Sequence, residues 1–515
     1  MIIKKYNNSI FYFLIFLMAG ASIYIRSKNA AAGTDISWLL VVVKKWLAGG
    51  RYIKDFYEVN PPASFLIYIP AYFLSKIINL DSLLCVNILY CIFGIFCLHL
   101  AVKISIKYDV FRNSIEEKSM FFMLFLGFII FPDDQTIAQR DVILTLASLP
   151  YLLKRLNCSS EEKRIDSYFI ISLLALWIKP QCAIAYVIVW IFAYFLYEIK
   201  IKWYEPVLII VSLSLYAFII HGFFFEWWHI AAVAIKTYDA YGASFYLLMP
   251  KFLIGMILTS AFYLLGGNKK NIHYLIVGGA FFLLALAQKK YFLYYYYSGE
   301  VLIFINILFL LKNRLLFFCE KFGRYSTSIN MVLVGTISLF YLSYCTMQEN
   351  KDYTYKNKEL DTIVKDHIHN NEKVFIFSLY IDASYPFLKN YNGTAYPALW
   401  PLKIFLEKNY FEHKNILYEI KEWLSEYFLK DKPKLVIIPY AYISKNYALS
   451  LLDNKQKKFE CDKYVHSECE PFKRLEKVME VIGINKLLEK NYHLIKFIRL
   501  DDSPTKVAVY LINDV

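Results

Sequence analysis

Three short stretches concentrate the side chains that could move a proton or hold a phosphate. The first runs Gly33-Thr34-Asp35-Ile36-Ser37-Trp38 and resumes at Gly49-Gly50-Arg51-Tyr52, with Asp55, Glu58, Asn60, Pro61 and Pro62 following. Asp35 stands at the end of an apolar run, where a charge is costly unless partners or water receive it. A carboxylate kept there can accept a proton from a hydroxyl. Asp55 and Glu58 read more simply as acids that support the loop. The second stretch is Pro132-Asp133-Asp134-Gln135, then Gln139-Arg140-Asp141, set between two apolar runs. Polar groups at such a depth normally line a cavity, the plainer reading being helix capping with a local Arg140–Asp141 pair. The third set is basic: Lys179-Pro180-Gln181, and Gln288-Lys289-Lys290-Tyr291 ahead of Tyr294 to Tyr297. Each lysine could merely snorkel. Converging on one face, they suit an anionic headgroup such as a phosphate. His221, Glu226 and His229 flank another junction, where interfacial histidines are a simpler reading than a metal site.

The elements that position these residues belong to a membrane. Of 515 residues, 58% are hydrophobic and 19% charged, with a mean hydropathy of +0.39. A soluble chain is nearer half apolar and about a quarter charged. The expectation is a polytopic α-helical membrane protein with about 11 transmembrane helices. They fall at 9–27, 82–102, 119–131, 142–153, 167–178, 181–197, 204–221, 244–265, 272–287, 298–311 and 327–347. The domain boundaries follow: a transmembrane domain over 1–347, whose first outer loop is 28–81, and an extracytoplasmic domain over 348–515. The helix expected over 36–48 should lie among the headgroups, anchored by Trp38 and Trp46. The first apolar run follows Lys4 and Lys5 without a small-residue cleavage site, so it reads as a retained helix.

Loop charge fixes the expected orientation. The stretch 63–79 is ambiguous, since it follows Pro61-Pro62 and contains Pro70, Ser75 and Lys76. If it lies along the interface, the basic loops around Lys103, Lys154, Lys200, Lys269 and Lys312 all face the cytoplasm, as the positive-inside rule requires. If it crosses, all of them face outward. The net charge of +14 is then a topological signal, and nucleic acid is set aside as a partner. In the last third, 374–379, 435–439 and 507–512 read as buried strands, and 401–430 and 472–491 as helices, giving an α/β soluble domain. Cys461 and Cys469 are its one cysteine pair and could bridge in an oxidising compartment. Cys85, Cys91 and Cys97 share one apolar helix and show no zinc spacing.

In the first two stretches and at Lys179-Pro180 the sequence resembles the C-type glycosyltransferase superfamily (GT-C), multi-span enzymes that use polyprenyl-phosphate sugars. It is similar to protein O-mannosyltransferases and aminoarabinose-lipid A transferases. The resembling residues are Asp35-Ile-Ser-Trp38, Gly49-Gly50-x-Tyr52-x-x-Asp55-x-x-Glu58-x-Asn60-Pro61-Pro62, Gln139-Arg140-Asp141 with Leu149-Pro150-Tyr151, and Lys179-Pro180. One departure is that the branch usually shows Arg-Glu-His where this chain has Arg140-Asp141-Val142. The resemblance implies a bacterial inner-membrane enzyme moving a sugar from a polyprenyl-phosphate donor to a glycan, lipid or protein acceptor at the periplasmic face. Asp35 is then the base, with Asp134 and Asp141 as further catalytic candidates. Asp55, Glu58, Gln139, Arg140, Lys179, Lys289 and Lys290 are substrate contacts. A divalent cation (Mg or Mn) near Asp35 and Asp134 would fit, although the basic residues can do the same job. Other classes with outer carboxylates are a flippase or transporter of lipid-linked sugars and a polysaccharide polymerase or ligase. The first would bring repeat symmetry and broken mid-membrane helices, which the sequence does not show.

Overall fold

The computed structural model describes residues 2–29, 34–52, 55–56, 58–108, 110, 114–133, 136–157, 166–232, 272–288 and 294–318. In the last third it describes 362–363, 366–368, 372, 374–376, 418, 421–422, 424–426, 428–429, 432–439, 483–499 and 506–513. The chain forms two compact units. One comprises Met1–Ile36, Pro61–Phe223 and Gly242–Glu349, and the other Ser37–Asn60, Phe224–Tyr241 and Asn350–Val515.

The described part of the first unit is helical. Its elements are α1 (Ile2–Asn29), the first turn of α2 (Thr34–Leu47), α3 (Ala63–Leu66), α4 (Ile69–Ile78), α5 (Ser82–Lys107) and α6 (Ser114–Phe125). A π-helical turn (Leu126–Ile130) extends α6; α7 (Arg140–Asn157), α8 (Ser167–Leu176), a 3-10 turn (Pro180–Cys182), α9 (Ala183–Tyr197) and α10 (Tyr204–Phe223) follow. The last two are α11 (His273–Ala287) and α12 (Tyr294–Phe318). Among the described residues three stretches are long and apolar enough to cross a membrane: Ser82–Lys107, Pro180–Tyr197 and Tyr204–Phe223. They turn Ile92, Phe96, Ile184, Phe195, Ile210 and Phe218 outward, as helices do when lipid replaces water around them.

Helix α7 is the hub, packing against α5, α8, α9, α11 and α12, and most of its length is buried. The apolar run expected at 142–153 is longer than its hydropathy, because charged residues at both ends join the helix. At the far end Arg155 pairs with Glu205 at 3.0 Å and donates to the Lys200 carbonyl at 2.6 Å. By contrast, α8 has only 10 residues, about 15 Å, half of a bilayer core of about 30 Å. The stretch 63–79 is likewise two short helices, the longer having 10 residues, too few to cross alone. Asn79 ends α4 in the left-handed region, and Asp81 caps α5 by accepting from the Leu83 and Leu84 amides. Helices α11 and α12 meet at Gly278 and Gly299, where an added Cβ would lie 2.9 and 2.8 Å from the opposite glycine's carbonyl oxygen. Only glycine lets the backbones come that close.

The π turn adds a residue to the helical repeat, which displaces carbonyls from their usual donors. Side chains take them up: Tyr297 donates to Gly127 and Tyr90 to Phe128, both at 2.6 Å, and Arg26 donates to Ile130 at 2.9 Å. This turn leads directly into the polar stretch at Asp133.

In the second unit the remainder of α2 is followed by a loop that Gly50 closes tightly. A Cβ there would meet the Lys45 carbonyl at 2.9 Å. A helix forms at the expected 36–48, as Thr34–Leu47, but Trp38 does not face outward from it. Ile36 through Val43 are all buried, and the Trp38 indole donates to Glu58 at 2.6 Å. Trp38 is a core residue tied to a carboxylate, whereas Trp46 rests on Phe224 with ring centroids 6.0 Å apart. The last third carries a four-stranded sheet, order β1 (Val374–Ile376), β2 (Leu435–Pro439), β4 (Lys506–Ile512), β3 (Tyr492–Arg499). β1 and β2 are parallel and the other pairs antiparallel. Strands stand at the three expected places. The fourth, β3, was hidden by His493 and Lys496, polar side chains that an edge strand carries readily. A helix, α13 (Ile484–Asn491), precedes it.

Candidate active site

Gln139, Arg140 and Asp141 reach the start of α7 through a compact turn. The Asp133 carboxylate accepts from the Thr136 amide at 2.7 Å, and the Gln139 amide donates to the Thr136 carbonyl at 3.2 Å. Ala138 between them has φ of 56°, a left-handed conformation that costs a residue with a Cβ about 1 kcal/mol. Tyr68, buried in the 63–79 stretch, donates to the Ala138 carbonyl at 2.9 Å and holds it there. Burial pushes the Tyr68 phenol above its ordinary range, with Asp35 and Asp141 adding to the shift and Arg140 opposing it. Tyr68 therefore stays a neutral donor.

From this turn two consecutive charges find long-range partners. The Arg140 guanidinium donates through Nη2 to Asp35 Oδ2 at 3.0 Å. Asp141 accepts through both carboxylate oxygens from Lys179 Nζ, each at 2.6 Å. Lys179 comes from the break between α8 and the 3-10 turn, where Pro180 cannot donate an amide and the chain turns. Its ammonium also lies 4.1 Å from the centroid of the Tyr295 ring. Ser64 ties α3 to the same break by donating to the Ile178 carbonyl at 3.2 Å, and Trp177 stacks on Tyr216 at 5.0 Å.

The result is a balanced group of two acids and two bases. The cations are the enclosed members, with side chains 2% exposed, whereas Asp35 is 20% and Asp141 13% exposed. Burial pushes the Lys179 ammonium below its ordinary value, and the Asp141 carboxylate opposes that shift. Ions withdrawn from water need good partners to stay charged. Asp35 partners the arginine, and Asp141 with the Tyr295 ring partners the lysine.

By sequence, none of the known families matches the chain, and no curated protein does. Among solved structures it is similar to ArnT from Cupriavidus metallidurans in the apo state. The identity is 10% and the TM-score 0.48, over 87% of this chain and 94% of that one. For the same protein bound to undecaprenyl phosphate the identity is 10% and the TM-score 0.46, over 86% and 94% of the two chains.

The structure thus joins Asp35, Arg140, Asp141 and Lys179 of the residues singled out in the sequence. Asp55 accepts the Arg51 amide at 2.8 Å, and its carbonyl receives Lys45 at 2.8 Å, closing the Gly49-Gly50 loop. Glu58 is buried, bonded to Trp38 and also to the Asn60 amide at 2.7 Å and side chain at 2.5 Å. Asp134, Lys289, Lys290, Cys461 and Cys469 lie outside the described residues. Among the described residues no three His, Cys, Asp or Glu side chains converge as a metal site, His221, Glu226 and His229 included. At Asp35 and Asp141 the counter-charges are Arg140 and Lys179. Sequence reasoning passed over Tyr68 and Tyr295. The signal for Tyr295 was its place in the tyrosine run beside Lys289-Lys290. For Tyr68 it was a phenol in an otherwise apolar stretch.

Proposed function

We propose that the chain is an integral membrane glycosyltransferase that moves a sugar from a polyprenyl-phosphate donor to a hydroxyl of a glycan, lipid or protein acceptor at the outer face of a bacterial inner membrane. The observation that carries this reading is the four-residue charge group, in which the more exposed carboxylates stand in front of enclosed cations. Asp35 accepts the acceptor's hydroxyl proton. The freed oxygen bonds to the anomeric carbon as the bond from that carbon to the phosphate oxygen breaks. The electron pair leaves on the phosphate, and Asp35 ends protonated. Arg140 and Lys179 supply positive charge held in place before the reaction, which is worth most where water is excluded. The resemblance of the first loop to GT-C enzymes names the donor class, and the lysine and arginine chemistry suits its phosphate. A divalent cation, if one is used, would supply the same kind of charge stabilisation as these basic residues.

The deciding experiment replaces the base. Asp35→Asn keeps an acceptor for Arg140 and cannot take a proton, so sugar transfer from polyprenyl-phosphate sugars should vanish at normal protein abundance. Full activity in that variant removes Asp35 from the reaction. The acceptor is found by glycan analysis of a strain lacking the gene, as a sugar missing from lipopolysaccharide, cell-wall polymer or protein.

A further inference from the structure

The turn that presents the charge group contains two polar side chains that the proposed proton transfer does not use. Gln139 and Thr136 are both buried, at 0% and 1% exposure. Among the described residues, neither the Nε2 nor the Oε1 of Gln139 has a hydrogen-bond partner, and neither does the Thr136 hydroxyl. Buried polar groups are nearly always partnered, and those that are not call for a ligand, a water or a function. Their backbone is not loose. Thr136 is held by the Asp133 carboxylate and by the Asp133 carbonyl at 3.1 Å, Gln139 by the Thr136 carbonyl, and Ala138 between them by Tyr68. The backbone that carries the unmet groups is therefore fixed in place, and Gln139 immediately precedes Arg140, which grips Asp35.

Their chemistry identifies what they would take. A carboxamide offers two donors and an acceptor, and a hydroxyl offers a donor and two acceptors. All of this is neutral, beside a group that already balances two acids with two bases. An anionic headgroup gains nothing from the amide carbonyl, whereas a ring bearing several hydroxyls uses donors and acceptors together. We infer that Gln139 and Thr136 recognise the hydroxyl groups of the transferred sugar, making this turn the specificity-determining contact of the donor site. The inference rests on the glycosyltransferase reading above and adds to it. The charged residues serve the phosphate and the proton, and Gln139 selects the sugar.

The test uses the full chain in lipid nanodiscs. Affinities are measured for undecaprenyl phosphate and for undecaprenyl phosphates carrying glucose, mannose, galactose or aminoarabinose. The variants are Gln139→Met, which keeps the length and removes the amide, and Thr136→Val. Wild type should bind at least one sugar-bearing lipid more tightly than the bare one. Gln139→Met should lose about tenfold or more of that gain, as sites built to hydrogen-bond a hydroxyl do when the bond is lost. Its affinity for bare undecaprenyl phosphate should stay within about twofold of wild type, because the phosphate contacts are elsewhere. Thr136→Val should lose a smaller part of the gain. Thermal stability without ligand should be unchanged or higher, since the variants remove unmet polar atoms. A lower stability would mark an amide already partnered within the fold and would overturn the inference. So would a sugar-dependent gain that survives Gln139→Met, in which case the glycosyltransferase reading stands. A wild type that gains nothing from any sugar also overturns it. The binding of bare undecaprenyl phosphate in the same titration then shows whether the donor-site reading falls too.

Discussion

Lys179 Nζ lies 2.6 Å from each carboxylate oxygen of Asp141 and 4.1 Å from the centroid of the Tyr295 ring. The ammonium thus has an anion on one side and the electron-rich face of an aromatic on the other, in place of the water it has lost. Breaking such a pair from one side is worse than removing both members, because the survivor keeps its charge without its partner. Lys179→Met should therefore destabilise the chain by about 3 kcal/mol, whereas Lys179→Met with Asp141→Leu should recover most of that loss. Transfer should be lost in both, since the cation is gone from each. Thermal unfolding in detergent, run beside the transfer assay, separates the two effects. Equal stability of the single and double variants would show that the pair is not coupled.

Burial lowers the Lys179 proton affinity, with Asp141 acting against it. The cation is therefore lost at a lower pH than that of an ordinary lysine. If the reaction needs the charged form, activity falls on the alkaline side as pH rises through this depressed value, and it is retained below it. Lys179→Arg keeps the charge at any accessible pH. In that variant the alkaline fall should move upward, even if the maximal rate drops about tenfold from the altered geometry. A pH profile of transfer for the two proteins checks this. An unchanged alkaline limb would assign it to another group.

The sequence made the long apolar helices at Ser82–Lys107, Pro180–Tyr197 and Tyr204–Phe223 legible, because lipid demands long apolar runs. It was less informative where helices carry charge. Arg140, Asp141, Lys154 and Arg155 belong to α7, and no hydropathy window admits them. Asp35 and Lys179 stood out as charges where charges are expensive. Their pairing with Arg140 and Asp141 did not, because partners separated by 105 and 38 positions leave no local pattern. Trp38 was misread for a related reason. Tryptophan at the end of an apolar run suits an interface, and only the buried Glu58 shows that the indole is tied inward. The sheet was legible in β1, β2 and β4, where β-branched and aliphatic residues run together. The charged edge strand β3 lacks that run.

Ala138 offers a backbone test of how the charge group is presented. Its positive φ favours glycine, so Ala138→Gly should be at least as stable as wild type. Ala138→Val should lose about 2 kcal/mol, because a β-branched residue is disfavoured there. Tyr68→Phe removes only the hydroxyl that holds the Ala138 carbonyl and should cost about 1 kcal/mol. Its effect on transfer should be larger than its effect on stability, because the turn it releases sets the direction of Arg140 and Asp141. Combining Tyr68→Phe with Ala138→Gly should slow transfer further, since the glycine leaves the turn freer still. Steady-state rates and unfolding midpoints for the four variants and wild type decide the matter. Wild-type rates in Tyr68→Phe would reduce Tyr68 to a packing residue.

Glu58 and Asp35 are both acids of the first loop, and the structure gives them different tasks. Glu58 is almost wholly buried, with one oxygen receiving the Trp38 indole and the other receiving Asn60 twice. Such a carboxylate fastens the loop to α2. Glu58→Ala strands the indole donor and the Asn60 amide, and should cost about 2–4 kcal/mol. Glu58→Gln keeps an acceptor for part of the network and should cost about half as much. Neither loss should appear as a slower chemical step. At a temperature where Glu58→Gln is fully folded, its turnover should stay within about threefold of wild type, the mark of a residue that binds ground and transition states equally. Asp35→Asn should show the reverse, with no transfer in a folded protein whose unfolding midpoint falls only by the counter-charge that Arg140 loses. A Glu58→Gln protein that is fully folded yet inactive would place the reacting hydroxyl at Glu58 and move the base there.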